Sequence, residues 1–212
     1  MNYAQLVTLI QEYCETTEQT FVANIPTFVQ LAEERIYNSV QIPAIRNNVT
    51  GTMSANTPYF GLPGDWLSTY SLAVIDQDTG EYEYLLNKDV NYIRAAYPSP
   101  TATGKPKYYG IWNDKFMILG PTPNLNYVAE LHYYYYPPSI VTAGTSWVGD
   151  NYENVLLYGA IREGYTYLKG EQDIMASYEA KYQEALAQLK RLGDGLDRQD
   201  AYRSGQVRIP VT

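Results

Sequence analysis

The sequence predicts an α+β protein: a helical bundle that includes a long C-terminal helical hairpin, an inserted, mainly antiparallel β-sheet domain, and an extended C-terminal tail. Three observations predict it. Apolar residues recur at helical spacing near both ends of the 212-residue chain. Between those stretches the period falls to two, and Gly, Pro and Asn-Asp turns break the chain into short runs. Beyond Gly193 no apolar period is left. The expected division is 1–47 for the N-terminal helices, 48–149 for the β domain, 150–193 for the helical hairpin and 194–212 for the tail.

The first helix is expected over 3–14, where Leu6, Leu9, Ile10 and Tyr13 share one face. A second is expected over 25–40, with Pro26 in its first turn, where a missing N–H is harmless. Phe28, Val29, Ala32 and Ile36 form its apolar stripe, Glu33 and Glu34 its solvated edge, and Pro43 closes the segment.

In the middle, Asn48–Met53 alternates weakly and 57–65 turns repeatedly at Pro58, Gly61, Pro63 and Gly64. Trp66–Ile75 reads as a strand, and Glu81–Leu85 pairs back on it across the turn Asp76–Gly80. Lys88–Tyr97 reads as a short helix with Val90, Ile93 and Tyr97 on one face, followed by a Pro-rich loop through Pro106. Lys107–Trp112 and Lys115–Leu119 flank Asn113-Asp114, a two-residue connection suited to a tight hairpin. Gly120–Asn124 is a loop, and Tyr127–Tyr136 is the longest strand, stopped by Pro137-Pro138.

Helical signals return at Asp150, which with Glu153 resembles a capping box. Leu157, Ile161, Tyr165 and Leu168 mark a helix over 151–169 that stops at Gly170. Ile174, Tyr178, Tyr182, Leu186 and Leu189 mark another over 171–192 that ends at Gly193.

Composition excludes several chemistries. Cys14 is the one cysteine and His132 the one histidine, so neither an intrachain disulfide nor a Cys/His zinc cluster is expected. His132 lies in an alternating run and reads as a partly exposed strand residue. Glu81 and Glu83 share a strand face and read as a solvated edge, not a catalytic pair. Gly104-Lys105-Pro106 lacks the phosphate-loop spacing, and no GxSxG or GxGxxG occurs. No catalytic residue, cofactor or metal is therefore expected. No apolar run nears the roughly 20 residues that span a bilayer, and Met1-Asn2-Tyr3 gives no basic signal-peptide start, so a soluble protein without membrane contact is expected.

The formal net charge of −8 opposes binding to nucleic acid by phosphate neutralisation. The charge is also uneven: residues 1–180 carry 9 basic and 19 acidic side chains, and residues 181–212 carry 6 and 4. Lys190 and Arg191 suit a helix end, whereas Arg198, Arg203 and Arg208 lie past the expected one. The 23 tyrosines are the largest anomaly. Rigid and amphipathic, they suit an interface or a carbohydrate platform. In the run Tyr133, Tyr134, Tyr135 and Tyr136, alternation must send about half the rings away from the core.

Phe28-Val29-Gln30-Leu31-Ala32-Glu33-Glu34-Arg35-Ile36 and Leu62-Pro63-Gly64-Asp65-Trp66-Leu67 come first in a series of short signatures. Gly104-Lys105-Pro106-Lys107-Tyr108-Tyr109, Leu119-Gly120-Pro121-Thr122-Pro123, Leu131 to Pro137 and Val155-Leu156-Leu157-Tyr158-Gly159-Ala160 follow. In this order, over residues 3–193, they resemble the head-to-tail adaptor proteins of short-tailed bacteriophages. The resemblance implies a virion protein, made in the host bacterial cytoplasm, that forms a homo-oligomeric and commonly twelvefold ring in the neck. Such a ring joins the portal protein to the tail nozzle protein, with tail fibres as a further neighbour, and extends the channel through which DNA leaves without specific binding. Under this reading Arg198, Tyr202, Arg203, Val207, Arg208 and Ile209 bind the portal, and Tyr133–Tyr136 supply subunit or tail contacts. A tyrosine-rich carbohydrate-binding module is the alternative.

Overall fold

The structure, a computed structural model, describes residues 1–77, 79–99 and 101–198. In chain order it holds α1 (Tyr3–Tyr13), α2 (Gln19–Ser39), β1 (Arg46–Met53), β2 (Tyr59–Gly61), β3 (Ser68–Ile75), β4 (Tyr82–Tyr84) and β5 (Leu86–Asn87). Then come α3 (Val90–Ala96), β6 (Thr103–Gly104), β7 (Tyr108–Ile111), β8 (Phe116–Gly120), β9 (Thr122–Pro123) and β10 (Tyr127–Tyr134). It closes with α4 (Ile140–Ala143), α5 (Trp147–Asn151), α6 (Glu153–Leu168) and α7 (Gln172–Arg198). The fold is α+β, and the chain forms two compact units: Met1–Ile45 with the chain from Pro137 onward, and Arg46–Tyr136.

The helical unit is built on α6, which packs against α1, α2, α5 and α7. A capping box starts α1: Gln5 N–H donates to Asn2 Oδ1 at 2.9 Å, and Asn2 N–H donates to Gln5 Oε1 at 3.0 Å. Leu6 and Ile10 are buried below it. Helix α2 begins at Gln19, not after Asn24, so Pro26 lies inside it. Phe21 and Ile25 are fully buried and extend the apolar stripe backward. Their burial outweighs the cost of an interior proline, about 3 kcal/mol. At Gly159 a Cβ would sit 3.0 Å from the Ala32 Cβ and 3.2 Å from the Tyr182 ring, so this glycine lets α2, α6 and α7 approach closely.

Further expected boundaries move as well. Residues 137–149 join the helical unit and not the β domain, because Pro137-Pro138 stops strand pairing and Ile140 and Val148 are then fully buried. Asp150 does not cap α6: it belongs to α5, which Ser146 caps through its Oγ on Gly149 N–H at 3.1 Å. Tyr152 takes the cap position of α6 without a side-chain bond. Lys169, not Gly170, is the left-handed residue that ends α6. Helix α7 runs on past Gly193 to Arg198. Gly193 and Gly195 each cost only about 1 kcal/mol inside a helix, which a helix of this length absorbs.

The β unit is two four-stranded sheets sharing one core. The first has the order β1-β10-β3-β4 and is antiparallel throughout, with Leu131 opposite Val49 on one side and Leu72 on the other. The second has the order β2-β8-β7-β5, and β6 pairs with β9. The pairs β5–β7 and β6–β9 are parallel, so the expected antiparallel pattern holds for the longer strands only. Met53, Leu72, Val74, Ala129 and Leu131 of the first sheet meet Phe60, Tyr109, Met117 and Leu119 of the second. Helix α3 lies on the other face of the second sheet. Gly110 and Gly120 open that face: a Cβ on Gly120 would stand 2.7 Å from Ile93 Cγ2.

Candidate interaction surfaces

Opposed residues of an antiparallel pair share a face. The core therefore fixes the outer face of the first sheet as Asn48, Thr50 and Thr52 of β1, Val128, Glu130 and His132 of β10, Ser71, Ala73 and Ile75 of β3, and Tyr82 and Tyr84 of β4. Tyr82 and Tyr84 are 52% and 61% exposed on an edge strand. Aromatic edge residues without inward neighbours are surplus to the core.

The four consecutive tyrosines divide as alternation requires. Tyr133 turns inward and is 3% exposed. Its hydroxyl donates to Asp65 Oδ1 at 3.0 Å and accepts from Asn47 Nδ2 at 3.2 Å. Burial, then the Asp65 carboxylate, pushes its pKa up. Tyr133 is thus a core residue and not a surface anchor. Tyr135 is half-buried, its ring 6.3 Å from that of Tyr133. Tyr134 turns outward, edge-on to Tyr70 at 6.1 Å, and the Arg46 guanidinium lies 5.4 Å from the Tyr70 ring centre and 5.9 Å from that of Tyr134. Tyr136 is exposed beyond the strand end.

A cleft of about 430 Å³ opens here between Arg46, Asn47, Asn48, Tyr70, His132 and Tyr133. His132 Nδ1 is 3.3 Å from Ser71 Oγ, and Glu130 Oε1 accepts from Asn48 Nδ2 at 3.1 Å. His132 is half-exposed, as the alternating run predicts. Glu83 is not a free edge carboxylate, because Lys105 pairs with it. No group of three or more His, Cys, Asp or Glu able to hold a metal occurs among the described residues.

Sequence reasoning missed two features. At the tip of the β7–β8 hairpin Trp112 is 62% exposed, beside exposed Ile111 and Phe116, and the Phe116 ring stands 6.3 Å from exposed Tyr59. A tryptophan against an Asn-Asp turn was the available signal, since a hairpin tip offers no core. The other is Glu33, expected at a solvated edge but only 3% exposed. It accepts the Ile140 N–H at 2.9 Å, and burial raises its pKa against the opposing pull of that bond and of Ser139. Glu33 lies four residues after buried Val29 and four before buried Tyr37, and that spacing was the signal.

On α7, Tyr178 stacks on Tyr165 at 5.2 Å, and Lys181 Nζ lies 5.2 Å from the Tyr178 ring centre. Burial drives the Tyr178 hydroxyl up to about 12, so it stays neutral at physiological pH. Arg198 is the last described residue of α7; Tyr202, Arg203, Val207, Arg208 and Ile209 lie outside the described residues.

No helix among the described residues is long and apolar enough to cross a membrane. No curated protein matches the chain. A family model described as SU10 adaptor protein matches residues 1–210. With both units covered by that match, the chain belongs to the SU10 adaptor protein family, a family of phage head-to-tail adaptors.

Proposed function

We propose that this chain is a structural, non-enzymatic component of the virion neck: a homo-oligomeric ring, assembled in the host cytoplasm, between portal protein and tail nozzle protein. The observation that carries this reading is the family match, which runs through both units and not through one of them. The acidic balance of residues 1–180 supports a channel that lets DNA pass without gripping it. The exposed rings of Tyr82, Tyr84 and Tyr136, with the outward, half-buried ring of Tyr134, support contacts between neighbours. The face of α7 and the outer sheet face are the proposed subunit surfaces. Arg198, Tyr202, Arg203, Val207, Arg208 and Ile209 are the proposed portal contacts, with the arginines facing portal carboxylates.

Truncation after Arg198 tests the portal contact while leaving α7 whole. The expected result is a folded protein that no longer attaches to portal-bearing heads. Undiminished attachment would remove the tail from the interface. The reading as a whole fails if particles assembled with the full-length chain contain no ring of it at the neck.

A further inference from the structure

Sheets with unpaired edges invite further strands, and natural proteins blunt such edges with Pro, Lys or bulges. The first sheet of the β unit has two edges, β1 and β4. Strand β1 spans Arg46–Met53, and between its ends it has neither Pro nor Lys; Asn47–Thr50 and Thr52 are exposed.

The ladder shows which backbone groups these edges present. Asn48 N–H is taken by the adjacent Asn47 Oδ1 at 2.9 Å, so it turns away from β10. Alternation along an antiparallel strand then turns the N–H and C=O of Thr50 and Thr52 outward as well. On the other side Leu85 N–H donates to Leu72 C=O at 2.9 Å, and Asp76 N–H donates to Glu81 C=O at 2.9 Å. Glu83, in phase with Glu81 and Leu85, therefore bonds to Val74, and Tyr82 and Tyr84 direct their backbone groups outward. Thr50, Thr52, Tyr82 and Tyr84 all place their side chains on the outer face.

We propose that β4 of one subunit pairs antiparallel with β1 of the next, so that the sheet continues from subunit to subunit around a closed ring. This rests on the ring reading above and names its contact. With four alternating strands, β1 and β4 run in opposite directions. A copy related by rotation alone thus brings β4 antiparallel to β1, with outer face continuing into outer face. An odd strand count would offer parallel edges of mismatched phase. Charge selects the same pair. Glu81, just before β4, makes two β4 edges repel each other, Glu83 being paired with Lys105, whereas the only charge on β1 is Arg46. Tyr82 and Tyr84 then lie beside threonines, and aromatic rings paired with β-branched residues are favourable across strands. The contact is heterologous, which is what closes a ring.

The test is oxidative cross-linking in particles assembled with the full-length chain, with ring content read by electron microscopy. Cys14 is buried, and its thiol is held at about 11 by burial, so it does not compete. Thr50→Cys is combined in turn with Tyr82→Cys and Tyr84→Cys. The expected result is a ladder of covalent multimers from at least one double variant, and none from any single variant. Covalent dimers from Thr50→Cys alone would show β1 against β1 and overturn the proposal. A ring without any cross-link would overturn it while the adaptor reading stands; absence of a ring would overturn both. Thr50→Pro gives a second readout, because it deletes an outward N–H that β10 does not use. The protein is expected to keep its circular dichroism spectrum and to lose at least tenfold in ring incorporation, and unchanged incorporation of a folded variant would count against the pairing.

Discussion

Tyr182 in the helical unit and Tyr84 in the β unit are the same side chain in opposite settings. The Tyr182 ring is buried against Gly159, with the Arg162 guanidinium 5.9 Å from its centre, and its hydroxyl has no partner among the described residues. Tyr84 stands on an edge strand, mostly in solvent. The helical unit likewise hides Glu33, whereas the β unit displays Trp112 at a hairpin tip. The geometry of the elements explains the contrast. A helix turns one stripe inward and can gather several rings on it, as α7 does with Tyr178 and Tyr182. A strand sends every second side chain away from the core, so tyrosine-rich strands necessarily carry rings outside. Anomalies inside a unit are explained by its own packing, and those outside need something else to contact.

The comparison can be broken at several strengths. Leu131 is fully buried on the central strand β10, and Leu131→Ala is expected to cost about 2–5 kcal/mol, read from urea unfolding followed through the β unit's aromatic fluorescence. A loss below about 1 kcal/mol would mean that the shared core of the two sheets is not what holds them. Gly120→Ala forces a Cβ toward Ile93 and is expected to cost about 1–3 kcal/mol, with α3 loosened first in hydrogen exchange. In the helical unit, Tyr182→Phe removes a buried hydroxyl with no partner, so stability should rise by roughly 1 kcal/mol or hold. A clear fall in the midpoint would reveal a partner for that hydroxyl.

Glu33 gives a test by pH. Burial raises its pKa in the folded state, so the folded chain holds the proton more tightly than the unfolded one. The resulting stabilisation is complete below the ordinary carboxylate value of about 4.3 and is lost as pH rises through the raised value. Glu33→Gln keeps an acceptor for the Ile140 N–H and removes the charge. Its melting temperature should change less than the parent's as pH rises from the ordinary carboxylate value through the raised one, and two parallel profiles would exclude Glu33 as the source. At the weak end, Tyr84→Ser should alter stability by less than about 0.5 kcal/mol. An appreciable loss would make Tyr84 part of the fold and erase the contrast with Tyr182.

The helix–sheet–helix order was legible because its signals are periodic. Leu6 and Ile10 share a stripe on α1, and alternation along β10 separates Leu131 and Tyr133 from His132 and Tyr134. What escaped depends on partners distant in the chain. Pro26 looks like a helix start until Phe21 and Ile25 are known to be buried ahead of it. Asp150 and Glu153 have the spacing of a cap, yet Ser146 forms the cap of a short helix just before them. Glu33 reads as solvated because its bond partner, Ile140, lies across the whole β unit in sequence. For the interaction surface, alternation gave the division of Tyr133–Tyr136 but not which half turned inward. Nor could the edge positions of β1 and β4 be read, since strand order depends on which distant segments pair.

The β unit begins with β1 and ends with β10, and these two strands are neighbours, with Arg46 opposite Tyr134. Its points of entry and exit therefore lie about one strand spacing apart, roughly 5 Å. In genetic terms the sheet unit is a cassette with adjoining ends. A lineage that exchanges it between Ile45 and Pro137 for another domain with adjoining ends does not stretch the helical host. The two halves of such a protein are then free to diverge at different speeds, one following the partners it must touch and the other the scaffold it must keep.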